Sequence, residues 1–139
     1  MPAPDRAGVV FQPQLHAALL RGVQQIVAAV KPTIGPSRCH VAIDRPYRKA
    51  PEMLDNGGLI ARRITDLGDR TEDAGAMLLR GMLWKIHDQM GDGTATATLL
   101  FDTLYRQGLK YLAAGGDATF LRESLEAAIP VTETGISPQ

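Results

Sequence analysis

The sequence predicts a mainly α fold, in which antiparallel helices form a bundle and one small β-hairpin follows the first helix. Apolar residues make up 45% of the 139 residues, enough to build a core, whereas aromatic residues make up only 5%. This composition suits helices packed through alanine, leucine and valine better than a β-sandwich. Apolar residues also recur at spacings of three and four, in stretches separated by glycine and proline. At this length the chain is one domain or part of one.

The first helix is predicted over Gln14–Val30, because apolar residues form a stripe along one face: Leu15, Leu19, Val23, Ile26, Val27 and Val30. Pro32 blocks its continuation. Residues 39–44 alternate as a short strand does, and a turn at Pro46-Tyr47 is expected to fold them back onto residues 52–54. A lone hairpin is not stable in water, so we expect helices or another strand to cover its edges.

Further helices are predicted over residues 59–67, 71–90, 94–112 and 119–129. Glycine and proline separate them: Gly68 breaks the first of these helices, Gly115-Gly116 ends the third, and Pro130 stops the last. The helix over 71–90 is expected to carry Met77, Leu78, Met82 and Ile86 on one face, and Leu83 and Trp84 extend this apolar surface.

Charge and cysteine content exclude several classes of protein. Fifteen lysines and arginines balance fifteen aspartates and glutamates, so no net field draws the chain to nucleic acid or to anionic lipid. Cys39 is the single cysteine, which excludes an internal disulfide, and no apolar run is long enough to cross a membrane. Residues 1–10 lack the apolar core of a signal peptide and are expected to form a flexible tail. These features fit a reducing cytoplasm.

A carboxylate between two glycines, followed directly by a helix, is the most informative motif: Gly91-Asp92-Gly93-Thr94-Ala95-Thr96. Glycines let the backbone approach an anion, and the first turn of a helix offers unpaired N–H groups to phosphate. A bare carboxylate would repel phosphate, so Asp92 makes sense beside it if a divalent cation such as Mg²⁺ lies between them. The alternative is structural, with Asp92 as an N-cap and Gly91 as the end of the previous helix.

Other candidate residues have ordinary structural explanations. Thr33-Ile34-Gly35-Pro36 alone is typical of a loop that ends a helix and binds no ligand. His16, His40 and His87 are scattered, so a metal site built from them is not expected, and Cys39 is expected to fill a small pocket rather than to act as a nucleophile. Basic residues are expected to be solvated or to meet acidic neighbours at an interface: Arg45, Arg48, Lys49, Arg62 and Arg63.

The order of the motifs carries more information than any one of them. They are Leu20-Arg21-Gly22-Val23, Thr33-Ile34-Gly35-Pro36, Ile43-Asp44, Ala50-Pro51, Asn56-Gly57, Ala61-Arg62, Gly75-Ala76, Gly91-Asp92-Gly93-Thr94, Thr96-Ala97-Thr98, Gly108-Leu109-Lys110 and Ala113-Ala114-Gly115. In this order the chain resembles the N-terminal half of the equatorial domain of a group I chaperonin, the GroEL family. The resemblance is collinear over about residues 11–128, nearly the whole chain.

The resemblance implies a site for ATP and Mg²⁺. The residues that it places along the phosphates are Thr33, Ile34, Gly35, Pro36, Gly93, Thr94, Ala95 and Thr96. Asp92 matches the carboxylate with which the family holds its metal ion. Residues 11–130 would form the ATP-binding equatorial segment, and residues 131–139 a tail toward an intermediate domain. The implied partners are other chaperonin subunits in a homo-oligomer, with unfolded client proteins reached only through other domains.

Two residues depart from the family pattern. Asn56 stands where the family has a catalytic aspartate, and an amide cannot act as a base, so no catalytic residue is assigned. Asp55 is adjacent and serves only if the turn shifts by one residue. Ala95 replaces a usual threonine and removes one hydroxyl, which typically costs about 0.5–1.5 kcal/mol. Nucleotide binding is expected to survive these changes better than hydrolysis.

The resemblance therefore predicts that the chain is an ATP-binding and ring-assembly segment of a chaperonin that assists protein folding. Because family members are much longer, we expect the chain to be a fragment that does not turn over ATP efficiently. Parts of the apolar faces of the first two long helices are expected to stay exposed and to cause self-association or a rearranged packing of the helices: Leu15, Leu19, Ile26, Met77 and Met82. One alternative is a degenerate chaperonin-like structural module without ATPase activity. A phosphotransfer enzyme is a weaker alternative, since no Walker-type lysine follows the glycines.

Overall fold

The computed structural model describes residues 10–35, 39–44 and 50–136. The elements in chain order are α1 (Gln14–Val30), a short 3₁₀ turn (Lys31–Thr33), β1 (Val41–Ile43), β2 (Glu52–Leu54), α2 (Gly57–Arg63), α3 (Arg70–Met90), α4 (Thr94–Ala113) and α5 (Ala118–Ile136). The chain divides into two compact units, of which the second begins at Leu104 within α4. The predicted fold class, mainly helical with one small hairpin after the first helix, is confirmed.

Helices α1 and α3 approach each other so closely that their backbones touch. A Cβ atom on Gly22 would clash with the carbonyl oxygen of Glu72, and a Cβ atom on Gly75 would clash with that of Leu19. Polar side chains join the two helices beside this contact: Arg21 Nε lies 2.6 Å from Glu72 Oε1, and Gln25 Nε2 donates to Glu72 Oε2 at 2.8 Å. The two glycines therefore set the distance between the helices, because no other residue fits there.

The core of the first unit lies around this helix pair. Its fully buried large side chains come from α1, α2, α3 and α4: Val23, Ile26, Val30, Ile60, Leu79, Leu83 and Thr98. The apolar face predicted on α3 is not its buried face, since Met77 and Leu78 are each 57% exposed. Buried instead are Gly75, Ala76, Leu79 and Leu83. The close backbone contact selects the face with the smallest residues, which an apolar count does not detect.

The expectation that apolar side chains of α1 stay exposed was wrong in part. Ile26 is fully buried, and Leu15 and Leu19 are half-buried rather than open to solvent. Met77 is exposed as expected, whereas Met82 is half-buried. Within the described residues, no helix is both long and apolar enough to cross a membrane.

The hairpin pairs β1 and β2 antiparallel, with Val41 opposite Leu54 and Ile43 opposite Glu52. Its predicted turn at Pro46-Tyr47 lies outside the described residues. The guanidinium of Arg63, at the end of α2, donates two hydrogen bonds of 2.9 and 3.0 Å to the carboxylate of Glu52. The Glu52 carboxylate also raises the pKa of Arg63. This fork-to-fork pair attaches the short sheet to α2 and supplies part of the cover that the hairpin needs.

A side-chain cap fixes the start of α3. Asp69 caps α3, because its Oδ1 accepts from Thr71 N at 2.8 Å and from Glu72 N at 3.1 Å. The hydrogen bonds from Glu72 N and Thr71 N, in that order, lower the pKa of Asp69. Helix α2 ends at Arg63, before the predicted break at Gly68.

The prediction that Pro130 ends the last helix was wrong, because α5 continues through this residue to Ile136. Proline fixes φ near a helical value. Its cost inside a helix is one lost backbone hydrogen bond and crowding against the carbonyl four residues earlier. In a helix of 19 residues this local cost does not end the helix.

We predict that Gly75→Ala destabilises the protein, because the added methyl group has to push α1 and α3 apart. Overpacking of this kind typically costs about 1–3 kcal/mol. The matched control is Gly81→Ala on the same helix, where an added Cβ meets nothing within 4 Å. Since alanine is the better helix former, that variant should gain about 0.5–1 kcal/mol. Urea unfolding measures both changes, and equal stability of the two variants would contradict the close contact.

Candidate functional site

The first unit contains a cavity of about 260 Å³ that collects residues from three separate parts of the chain. Its lining residues are Thr33, Ile34, Gly35, Asp55, Asn56, Gly57, Asp92, Gly93, Thr94, Ala95 and Thr96. The structure thus brings together every described residue that the sequence placed along a phosphate or on a metal ion. Pro36, the remaining member of that set, lies outside the described residues.

The end of α1 forms the first wall of this cavity. The 3₁₀ turn continues α1 as far as Thr33, which is buried and whose Oγ1 donates to the carbonyl of Val30 at 2.8 Å. The backbone then becomes extended at Ile34 and adopts a φ of 111° at Gly35, a value that favours glycine. After this change of direction the chain leaves α1 with Thr33, Ile34 and Gly35 all lining the cavity.

The connection between α3 and α4 forms the second wall. Gly91 ends α3 with a φ of 73°, and its N–H donates to the carbonyl of His87 at 3.0 Å. Gly93 has a φ of 80°, and Asp92 Oδ1 accepts from Gly93 N at 2.7 Å. Gly91 therefore ends α3, as the structural alternative expected. Asp92, however, bonds to the residue before the helix rather than to its first turn, where an N-cap side chain bonds.

The first turn of α4 lines the same cavity through Thr94, Ala95 and Thr96. The first helical hydrogen bond of α4 runs from Ala97 N to the carbonyl of Gly93 at 2.9 Å. The N–H groups of Thr94, Ala95 and Thr96 come before it, at the positive end of the helix dipole. Such a turn can bind phosphate without any basic side chain.

The start of α2 forms the third wall and contacts the other two. Asn56 caps α2, since its Oδ1 accepts from Gly58 N at 2.9 Å and from Leu59 N at 3.2 Å. A Cβ atom on Gly57 would lie 2.8 Å from Val30 Cγ1 and 3.2 Å from Thr94 Oγ1, so Gly57 fits tightly between α1 and α4. Sequence reasoning considered the chemistry of Asn56 but missed its cap. The signal was present, because Asn directly before a helix is a preferred N-cap.

The charge of the cavity is negative. Asp55 and Asp92 both line it, and no lysine, arginine or histidine is among the described lining residues. The described residues contain no group of three or more side chains that would hold a metal ion unaided. A phosphate group with a divalent cation fits this donor set, because the phosphate would complete the coordination of a cation held by one carboxylate.

The other candidate residues lie outside this cavity. His16 Nε2 lies 3.0 Å from Gln12 Nε2, and the His87 ring lies 5.5 Å from that of Trp84. The guanidinium of Arg62 lies 4.2 Å above the Trp84 ring. Cys39 is exposed, and its N–H donates to the carbonyl of Pro32 at 3.2 Å. The basic residues Arg45, Arg48 and Lys49 lie outside the described residues.

Comparison with known proteins shows the class of fold. The chain is similar to the crystal structure of the chaperonin gp146 from the bacteriophage EL 2 (Pseudomonas aeruginosa), determined in the presence of ATP-BeFx. The TM-score is 0.61 at 22% sequence identity, over 68% of this chain and 16% of the phage protein. The fold is therefore chaperonin-like, and membership of the GroEL family in particular stays a prediction. No protein-family model matches the chain.

We predict that Asn56→Ala destabilises the protein by about 0.5–2 kcal/mol, because it removes the oxygen that caps α2. Asn56→Asp keeps a cap oxygen at the same place and should stay near the stability of the wild type. Thermal and urea unfolding at neutral pH compare the three proteins. If the alanine variant were as stable as the aspartate variant, the cap would have no energetic role.

Proposed function

We propose that this chain is the nucleotide-binding segment of a chaperonin-like protein and binds ATP with Mg²⁺ in the cavity around Asp92. The observation that carries the proposal is the meeting of the Thr33–Gly35 loop, the start of α2 and the start of α4 around one cavity. These segments are distant in sequence, and the described residues with which they line the cavity include two aspartates, one asparagine and three threonines. The phage chaperonin of similar fold was studied with ATP-BeFx, which supports a nucleotide as the ligand here.

The chemistry of the proposed site follows from its donors. The N–H groups of Thr94, Ala95 and Thr96 would bind phosphate oxygens, with the loop at Gly35 on the opposite side. Asp92 would hold Mg²⁺ against those oxygens. The cation is needed because the carboxylates of Asp92 and Asp55 would otherwise repel a polyphosphate.

Binding without efficient hydrolysis is the form of this function that we favour. Asn56 has an amide where a base is needed, and its Oδ1 already accepts two backbone N–H groups of α2. Ala95 gives the phosphates a backbone N–H but no hydroxyl. The same two residues support the alternative function, a chaperonin-like structural module that has lost ATPase activity, and the binding experiment below separates the two.

We base the proposed partners on the similarity of the fold to a chaperonin. The chain spans 16% of the length of the phage chaperonin that it resembles, so folding of client proteins would need further domains. We propose that the segment serves assembly with other chaperonin subunits as a homo-oligomer, in the cytoplasm. The balanced charge of the chain gives no attraction to nucleic acid or to membranes.

We predict Mg²⁺-dependent binding of ATP that Asp92→Asn alters in a characteristic way. The amide retains an oxygen that can accept from Gly93 N, so the loop keeps its shape while the charge is removed. With Mg²⁺, the variant should bind ATP about tenfold or more weakly, the size of effect typical of groups that support a metal ion. Without Mg²⁺ it should bind more tightly than the wild type, since the repulsion of phosphate is gone. Isothermal titration calorimetry with and without Mg²⁺ measures all four affinities.

The matched control is Glu123→Ala, which removes an exposed carboxylate in the second unit, far along the chain from the cavity residues. It should bind ATP as the wild type does. Loss of Mg²⁺ dependence in this control would mean that net charge, not the position of Asp92, governs binding. A folded wild type that binds no ATP at millimolar concentration would favour the structural module.

We also predict that the site discriminates weakly between bases. Its volume of about 260 Å³ is small beside typical ligand pockets of about 300–1,000 Å³, and the described part of its lining has no aromatic side chain to stack on a base. ATP, GTP and inorganic tripolyphosphate with Mg²⁺ should therefore bind this chain within about tenfold of one another. Competition calorimetry gives the ratios. A strong preference for ATP would show that a base pocket exists outside the lining described above.

A further inference from the structure

The second unit carries an apolar groove of about 480 Å³, lined by side chains from both of its helices. The large apolar side chains in this lining are Leu104, Leu112, Leu121, Leu125 and Ile129. Leu104 is 59% exposed, Leu125 47% and Ile129 56%. Large apolar side chains grouped at such exposure are typical of a surface that binds another protein.

Two opposite charges lie along the same groove. Arg122 and Glu126 belong to its lining and are 69% and 64% exposed, with Arg122 Nε 3.8 Å from Glu126 Oε1. Residues four apart lie on the same side of a helix, so both charges flank the groove on one side. This ion pair contributes little to the stability of one chain, because both partners are well solvated.

The order of the two charges makes a second copy of this chain a complementary occupant of the groove. If α5 of a second copy lies antiparallel along the groove, Arg122 of each copy faces Glu126 of the other. The ion pair within each single chain is then replaced by two ion pairs between the chains, related by a two-fold axis. A parallel arrangement related by a two-fold axis has both helices in the same register and would place like charges opposite each other. The surface is thus complementary to itself in one orientation, as a two-fold interface requires.

We propose that this groove is a dimer interface, in which α5 of a second copy of this chain packs antiparallel against α5 and covers Leu125 and Ile129. The contact is isologous, with the same residues contributed by each copy. It lies within the second unit and does not depend on nucleotide binding in the first.

Charge reversal tests the orientation of the helices. Arg122→Glu and Glu126→Arg each place like charges opposite one another at both ends of the contact. In sedimentation equilibrium of the 139-residue chain, each should weaken the dimer about tenfold. An equimolar mixture of the two variants should form a heterodimer of wild-type affinity, and the double variant Arg122→Glu/Glu126→Arg should dimerise alone. Circular dichroism verifies that all variants keep the helical content of the wild type.

A second pair of variants tests the apolar contact. Leu125→Ser removes a groove side chain and should weaken the dimer about tenfold. Phe120→Ser is the control, since Phe120 is on the same helix and 62% exposed but is not part of the groove lining. A wild-type chain that stays monomeric to 100 μM, single reversals that dimerise as the wild type does, or mixed reversals that form no heterodimer would each overturn the proposal.

Discussion

The backbone contact between α1 and α3 at Gly22 and Gly75 is the constraint on which the rest of the first unit depends. Each glycine lies where any Cβ atom would clash with a carbonyl group of the other helix. The crossing fixes the two helices as one rigid pair, since backbone atoms cannot yield as side chains do. The candidate site lies beyond the C-terminal ends of this pair. The end of α1 leads directly into Thr33, and the end of α3 leads directly into Asp92.

The same packing places the N-terminal ends of α2 and α4 close to the C-terminal ends of α1 and α3. Gly57, at the start of α2, fits between Val30 and Thr94, while Gly58 is tightly placed against His87. The N-terminal ends of α2 and α4 carry partial positive charge, which suits an anion. Small residues at these contacts therefore do more than permit close packing. They bring the first turn of α4 and the carboxylate of Asp92 to one cavity, where a phosphate bound by the helix would be repelled by the carboxylate unless a cation lay between them.

The sequence predicts the elements well where the signal is periodic or where glycine or proline acts locally. The long helices and the end of α3 at Gly91 follow from such signals. The prediction that Thr33 and Thr94 line one site rested on the order of the motifs, because spacing along a chain does not reveal which loops meet. The buried face of α3 was not predictable from apolar residues, since packing at Gly75 overrides hydrophobicity. The helix end predicted at Pro130 was wrong because the lost hydrogen bond is a local cost that a long helix tolerates.

The chemistry at Asn56 can be separated from its structural role. Its side-chain oxygen accepts from Gly58 N and Leu59 N, and a carboxylate oxygen would accept the same two bonds. The fold of α2 therefore does not distinguish asparagine from aspartate at this position. What differs is the charge. Beside Asp55 and Asp92, a third carboxylate would raise the repulsion of phosphate that a cation has to offset. Under the proposed function, asparagine would lower that repulsion and would lack the base, a combination that would favour holding a nucleotide over cleaving it.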